Sequence, residues 1–260
     1  MRLLATVFAA FWAASLAAFW LAVPAWAAEN ASGAPAGDRY ESCLADIRRD
    51  AGQALSAAAQ WEESGGGPAA SHCEALALVA LRRYGEAAAR LDDLARTLKI
   101  TPAEHATLFD QAGNAWLLAG NPASAEASFT AALSSAPGDP EILTDRARAR
   151  AMNRDWPGAE ADLTAAIPQS ADRVSLYILR ASARHAEGRK DDARADIDAA
   201  LKLQPSNPEA LLQRGAMKYE DNDMTGAKAD WQSVVTLAPG SHAAQIAQQH
   251  LTDMASSGGK

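Results

Sequence analysis

Apolar and polar positions follow three regimes along this chain. Residues 3–23 are an almost unbroken apolar run, and Arg2 is the only charge before it. From about residue 39 the runs shorten, and Ala, Leu and Ile recur three and four positions apart among charged residues. That is the spacing of amphipathic helices. Short breaks interrupt them at Gly120-Asn121-Pro122, Arg154-Asp155-Trp156-Pro157, Gly188-Arg189-Lys190 and Asn222-Asp223-Met224. Such residues end one helix and start the next. Residues 255–260 are small and polar, and a disordered tail is expected there.

The helical part repeats itself. From Ala106 it divides into four 34-residue units without insertions: 106–139, 140–173, 174–207 and 208–241. The eighth place is small (Gly113, Ala147, Ala181, Gly215), and the twentieth is Ala125, Ala159, Ala193 and Ala227. The fourth is bulky (Phe109, Leu143, Tyr177, Leu211), as is the twenty-fourth (Phe129, Leu163, Ile197, Trp231). Pro137, Pro205 and Pro239 close three units, while Ala171 stands at that place in the second. Each unit therefore predicts two helices that approach where residues are small and interlock where they are large. No unit buries its apolar face alone, so neighbours must stack. A degenerate unit over 68–105 fits through Ala75, Leu78, Tyr84, Ala87, Leu91 and Leu94, with 102–105 as a short insertion. A helical pair over 38–67 precedes it, and a Gln-rich helix over 242–254 caps the stack.

With this period and these places, 106–241 resembles the tetratricopeptide-repeat family and its W-x2-L-G-x2-Y…A-x3-F…P pattern. The resemblance implies an all-α, right-handed superhelical solenoid of helical hairpins. It also implies that first helices line a concave groove holding a protein or peptide partner. Carried over place by place, that groove is lined by Asp110, Asn114, Leu117, Thr144, Arg148, Ile178, Ser182, His185, Leu212 and Tyr219. Family members that grip a C-terminal carboxylate carry Lys and Asn at the fifth and ninth places. Here Asp110 and Asn114 stand there, so no carboxylate clamp is expected. The family's aromatic at the eleventh place is kept by Trp116 but replaced by Arg150, Arg184 and Lys218.

One further column pair stands out. The seventh place is Arg146, Arg180 and Arg214 in units two to four, and Asp162, Asp196 and Asp230 stand sixteen residues later. The first unit has Ala112 and Ser128 instead, so the pair appears and vanishes together. A ladder of Arg–Asp ion pairs is expected, within a unit or between neighbours. Partly buried pairs of this kind align elements, and losing one partner is costly.

Composition then narrows the function. A chain of 260 residues with 48% hydrophobic side chains can bury a real core. A net charge of −8 leaves no basic face for phosphates, so no nucleic-acid partner is expected. Arg2, the apolar run and the ending Pro24-Ala25-Trp26-Ala27 predict a signal peptide over 1–27, a flexible spacer over 28–37 and a periplasmic address. The run is long enough to span a bilayer, so retention of 3–23 as an inner-membrane anchor is the alternative and the only route to a membrane. In an oxidising compartment Cys43 and Cys73, the two cysteines, are most simply one disulfide. Two inert thiols, or a Cys73 nucleophile beside His72, are the other readings.

Catalytic chemistry finds no pattern. The histidines at 72, 105, 185, 242 and 250 lie at no metal-ligand spacing, so no metal or cofactor is expected. Gly65-Gly66-Gly67 lacks the Lys and Ser/Thr of a phosphate loop and predicts a surface turn. Asp92-Asp93 and Asp191-Asp192 are expected on solvated helix faces. The expectation is a non-catalytic interaction scaffold of the cell envelope. A membrane-anchored accessory subunit is the alternative, and a Cys/His enzyme a remote one.

Overall fold

The computed structural model describes residues 36–257. The signal segment expected at 1–27, and residues 28–35 of the expected spacer, lie outside the described residues. Every regular element among the described residues is helical, and no helix there is long and apolar enough to cross a membrane. The chain divides between Asn153 and Arg154 into two compact units.

The N-terminal unit holds α1 (Ala36–Arg49), α2 (Ala51–Trp61), α3 (Gly67–Ala80), α4 (Tyr84–Thr97), α5 (Pro102–Leu118), α6 (Pro122–Ser135) and α7 (Pro140–Met152). Each helix packs on the next in chain order, and α5 also touches α7. The C-terminal unit holds α8 (Trp156–Ala166), α9 (Val174–Ala186), α10 (Lys190–Leu203), α11 (Pro208–Glu220), α12 (Met224–Leu237) and α13 (His242–Ser257). There too neighbours in sequence are neighbours in space, with α13 packed on α12 and α11.

Local chemistry explains the boundaries. The side chains of Asn121, Asp139, Asp155, Asn207 and Asp223 each accept a backbone N–H from the first turn of the helix that follows. Thr101 forms a full capping box with Glu104, so residues 102–105, set apart above as an insertion, are the first turn of α5. First helices end on one left-handed residue at the fifteenth place of each unit: Arg82, Gly120, Arg154, Gly188 and Asn222, with φ between 59° and 80°. The next residue's N–H reaches back to the helix, as from Asn121 to the Trp116 carbonyl (2.9 Å) and from Asp223 to the Lys218 carbonyl (2.9 Å). Arg82 gives the degenerate unit the same turn as the regular ones.

Two expected boundaries move. Helix α3 begins at Gly67, inside the expected pair over 38–67, because a widened turn over Glu62–Gly66 reverses the chain early. Residues 255–257 continue α13 instead of fraying, and 258–260 lie outside the described residues.

The small and large places interlock as their periodicity predicts. Phe129 lies over Gly113, where an added Cβ would sit 2.6 Å from its ring. Trp231 lies over Gly215, at 2.5 Å, and donates its Nε1–H to the Leu212 carbonyl (3.2 Å). Gly215→Ala should therefore lower unfolding free energy by about 1–3 kcal/mol despite alanine's better helix propensity. Urea denaturation checks this; a variant at least as stable as the parent would mean that Trp231 moves aside freely.

At the N-terminal end Tyr40, Cys43, Ala58, Trp61, Ala69, Ala70 and Cys73 form a separate cluster. A disulfide between Cys43 and Cys73, with a Cα–Cα distance of 6.3 Å, ties α1 to α3.

Candidate partner-binding face and the polar ladders beneath it

The Arg180–Asp196 and Arg214–Asp230 pairs form within a unit. Arg180 reaches Asp196 with Nε (3.0 Å) and Nη2 (2.7 Å), and Arg214 reaches Asp230 in the same bidentate way (2.9 and 2.8 Å). Such forks join α9 to α10 and α11 to α12, each a first helix to its own second helix. Seventh-place arginines also reach the preceding second helix, Arg180 through Thr164 (3.2 Å) and Arg146 through Thr130 (3.3 Å).

The eleventh place carries a second ladder, this time between neighbouring units. Arg150 donates to Glu126 (2.9 Å) and Arg184 to Glu160 (2.7 Å), each spanning 24 residues. Those arginines replace the aromatic of the repeat pattern with an ion pair to the preceding second helix. For unit four, Arg194 of the third unit stands where that glutamate would be, and Lys218 turns to Asp230 (2.9 Å).

The first unit lacks the Arg–Asp pair because another acid does its work. Asp92 accepts from Trp116 Nε1 (2.9 Å) and from Ser128 Oγ (2.9 Å). The solvated face expected for Asp92-Asp93 is thus corrected for Asp92, which is buried; Asp93 stays open, as do Asp191 and Asp192. On α4 the two acids point about 100° apart, enough to bury one and expose the other.

The residues assigned to the first-helix face lie deeper than an open groove lining. Asp110, Asn114, Leu117, Thr144, Arg148, Ile178, Ser182 and Leu212 are buried, and His185 and Tyr219 are half-buried. The polar ones join a third ladder between successive first helices. The ninth place of one unit meets the sixth of the next: Asn114 Nδ2 lies 3.5 Å from Asp145, and Gln213 donates to Ser182 (2.9 Å). Arg148 is engaged with Asp145 on its own helix. Thr144 and Ser182 donate their hydroxyls to backbone carbonyls one turn back. His185 and Lys190 both reach Glu220 on α11. The buried sixth-place residues Gln111, Asp145 and Gln213 escaped the periodic reading. Their signal was a polar residue recurring at one place in three of four units.

First helices of each unit also hold unpaired acceptors. Asp110 Oδ1 and Asn114 Oδ1 on α5, and Gln213 Oε1 on α11, are buried without a hydrogen-bond partner. A buried polar atom left unpaired costs about 1–3 kcal/mol, so its persistence calls for a reason. Burial, with Asp145, Asp139 and Glu141 nearby, holds the Asp110 carboxyl well above its usual range.

His72 belongs to the scaffold. Tyr40 Oη lies 2.6 Å from Nδ1 and Gln111 Oε1 lies 2.9 Å from Nε2, so the neutral ring donates to Gln111 and accepts from tyrosine. Its neighbour Cys73 is disulfide-bonded and so offers no nucleophile for a Cys/His site. Burial lowers the His72 pKa to about 4, against the opposing Gln111 bond. The unfolded chain then binds the extra proton between about pH 6.5 and 4, so stability present above that window falls on acidification. The loss is roughly 3 kcal/mol by pH 4. Urea melts across this range check it, and His72→Gln should be less stable at pH 7 but lose that part of the slope.

A cleft of about 650 Å³ opens between α2, α3 and α4, lined by residues including Leu55, Ser71, Leu78 and Leu94. At its floor Arg90 bridges Glu62 (3.0 Å) and Glu74 (2.9 Å), and Ser71 donates to Glu62 (2.6 Å). These contacts tie the three segments together, while Glu74 Oε2 stays buried without a hydrogen-bond partner.

No protein-family model and no curated protein matches the chain. Solved structures do. MamA residues 41 to the end, from Desulfovibrio magneticus RS-1, aligns at a TM-score of 0.54 with 21% identity, over 62% of this chain and 91% of that one. YrrB, described as a TPR protein with an unusual peptide-binding site, aligns at 0.55 with 17% identity, over 73% and 96%. The Cut9–Hcn1 hetero-tetramer of the APC/C aligns at 0.56 with 13% identity, over 83% of this chain and 41% of that one. At such identities likeness speaks for architecture, and with the repeat places, the turns and the interlocked hairpins it leads to one conclusion: this chain has the all-α solenoid fold of the tetratricopeptide-repeat proteins.

Proposed function

We propose that this protein is a non-catalytic scaffold that holds a protein or peptide partner on the face of its first helices. The observation that carries the reading is that first helices hold buried unpaired acceptors in each unit: Asp110 and Asn114 on α5 of the N-terminal unit, and Gln213 on α11 of the C-terminal unit. Folds rarely tolerate such atoms without use, and partner donors would satisfy them. Half-buried Tyr219 offers an aromatic anchor on the same helix as Gln213. The peptide-binding site in YrrB's description lends the reading support by analogy of fold. We further propose export to the periplasm, with an inner-membrane anchor over 3–23 as the alternative. The Cys43–Cys73 pairing supports an oxidising compartment.

Selection of random peptides on the purified full chain tests this. Bound peptides should lose affinity on the order of tenfold or more with Tyr219→Ala. They should be unaffected by Lys202→Ala, an exposed change on second helix α10. The opposite pattern, or no selected peptide, would overturn the reading.

A further inference from the structure

Within the N-terminal unit three side chains converge from α5 and α7. Asn114 Nδ2 donates to the Asp110 backbone carbonyl (3.1 Å) and lies 3.3 Å from Asp110 Oδ2 and 3.5 Å from Asp145 Oδ2. All three residues are at least nine-tenths buried, at 4%, 5% and 5% exposure. That single amide group cannot saturate two carboxylates. Asp110 Oδ1 and the Asn114 side-chain carbonyl remain without a donor.

Both unpaired atoms are acceptors, and further acids crowd one of them. Asp145, Asp139 and Glu141 all act on Asp110. Arg148, a cation beside Asp145, is already engaged with it from the same helix. Asp110 Oδ1 and Asn114 Oδ1 therefore lack a donor, and the carboxyls of Asp110 and Asp145 have one cation between them.

We propose that Asp110, Asn114 and Asp145 form a subsite for a cationic donor, the ammonium or guanidinium of a basic side chain on the partner. The inference rests on the partner-binding reading and names the chemistry of one contact. An ammonium carries three donors, enough for Asp110 Oδ1, Asn114 Oδ1 and one Asp145 oxygen. Its charge would offset the carboxylates where burial makes repulsion strongest. A divalent metal fits less well, since hard cations take six or more oxygens.

The test uses n-butylammonium on the full chain, followed by carboxyl carbon NMR, with 1-butanol as the uncharged control. Butylammonium should shift the Asp110 and Asp145 carboxyl signals saturably and lower the apparent pKa of Asp110, because a cation favours the carboxylate. Butanol should do neither. Asp110→Asn keeps the shape and removes the charge; it should abolish the response at Asp145 while raising the melting temperature at neutral pH. Asp145→Asn should weaken the response at Asp110. No saturable shift, or one unchanged in Asp110→Asn, overturns the subsite and shows that Asp110 merely keeps its proton. The two readings fail separately: an intact ammonium response without any selected peptide sinks the partner face alone. Peptides selected without a recurring Lys or Arg, and without an ammonium response, sink only the subsite.

Discussion

Asp196→Ala is expected to destabilise the C-terminal unit by about 3–5 kcal/mol. The carboxylate accepts from Arg180 Nε (3.0 Å) and Nη2 (2.7 Å) and from Arg184 Nη1 (2.9 Å). Its side chain is 4% exposed and those of the two arginines 14% and 16%. Removing it strands guanidinium charge that water barely reaches, and this cost exceeds the pair's net contribution. Arg184 keeps Glu160 and Arg180 keeps Thr164, which holds the loss short of two fully orphaned charges. Asp191→Ala, at a side chain 98% exposed, should change stability by no more than about 0.5 kcal/mol. Urea melts of the two variants decide the point. Equal midpoints would mean that the ladder aligns nothing. Arg180→Met in the Asp196→Ala background should restore part of the loss, since an apolar stem needs no partner.

Opening the Cys43–Cys73 bond should cost about 3–4 kcal/mol in the chain-entropy account, for a sequence separation of 30. The effect should be local. Helix α1 packs on α2 and α3 at the end of the stack, with no further neighbour among the described helices that touches it as extensively. Reduction, or Cys43→Ser, should therefore expose amides of α1 and α2 to hydrogen exchange while α9 to α12 keep their protection. Intact mass with and without reductant is the prior check: a gain of two hydrogens is expected, and an unchanged mass would mean that the bond does not form.

Most of the architecture was legible along the chain, for a physical reason. Stacked hairpins make contacts mainly with their sequence neighbours, so each unit repeats the same local demands, and repetition amplifies weak signals. Gly113 under Phe129 and Gly215 under Trp231 follow from a small place opposite a large one sixteen residues on. The Arg–Asp columns showed that partners exist, because two residues that come and go together satisfy one another. They did not show which helix each arginine serves beyond its own unit, as Arg180 does with Thr164.

Burial on the first-helix face was not legible. The resemblance placed Asp110, Asn114, Thr144 and Ser182 along a groove, but the pitch between successive first helices turns the ninth place of one unit toward the sixth of the next. Asp92 misled for the same reason, since what faces a helical residue belongs to another segment. Periodicity alone determined the helices, their turns, their order and the identity of the interlocking residues, all set by contacts repeating at one short interval. Only the tertiary structure decided which polar groups are buried, which ladders join which helices, and where acceptors stay unpaired, because those depend on the angle at which one hairpin meets the next, a quantity that no single unit encodes.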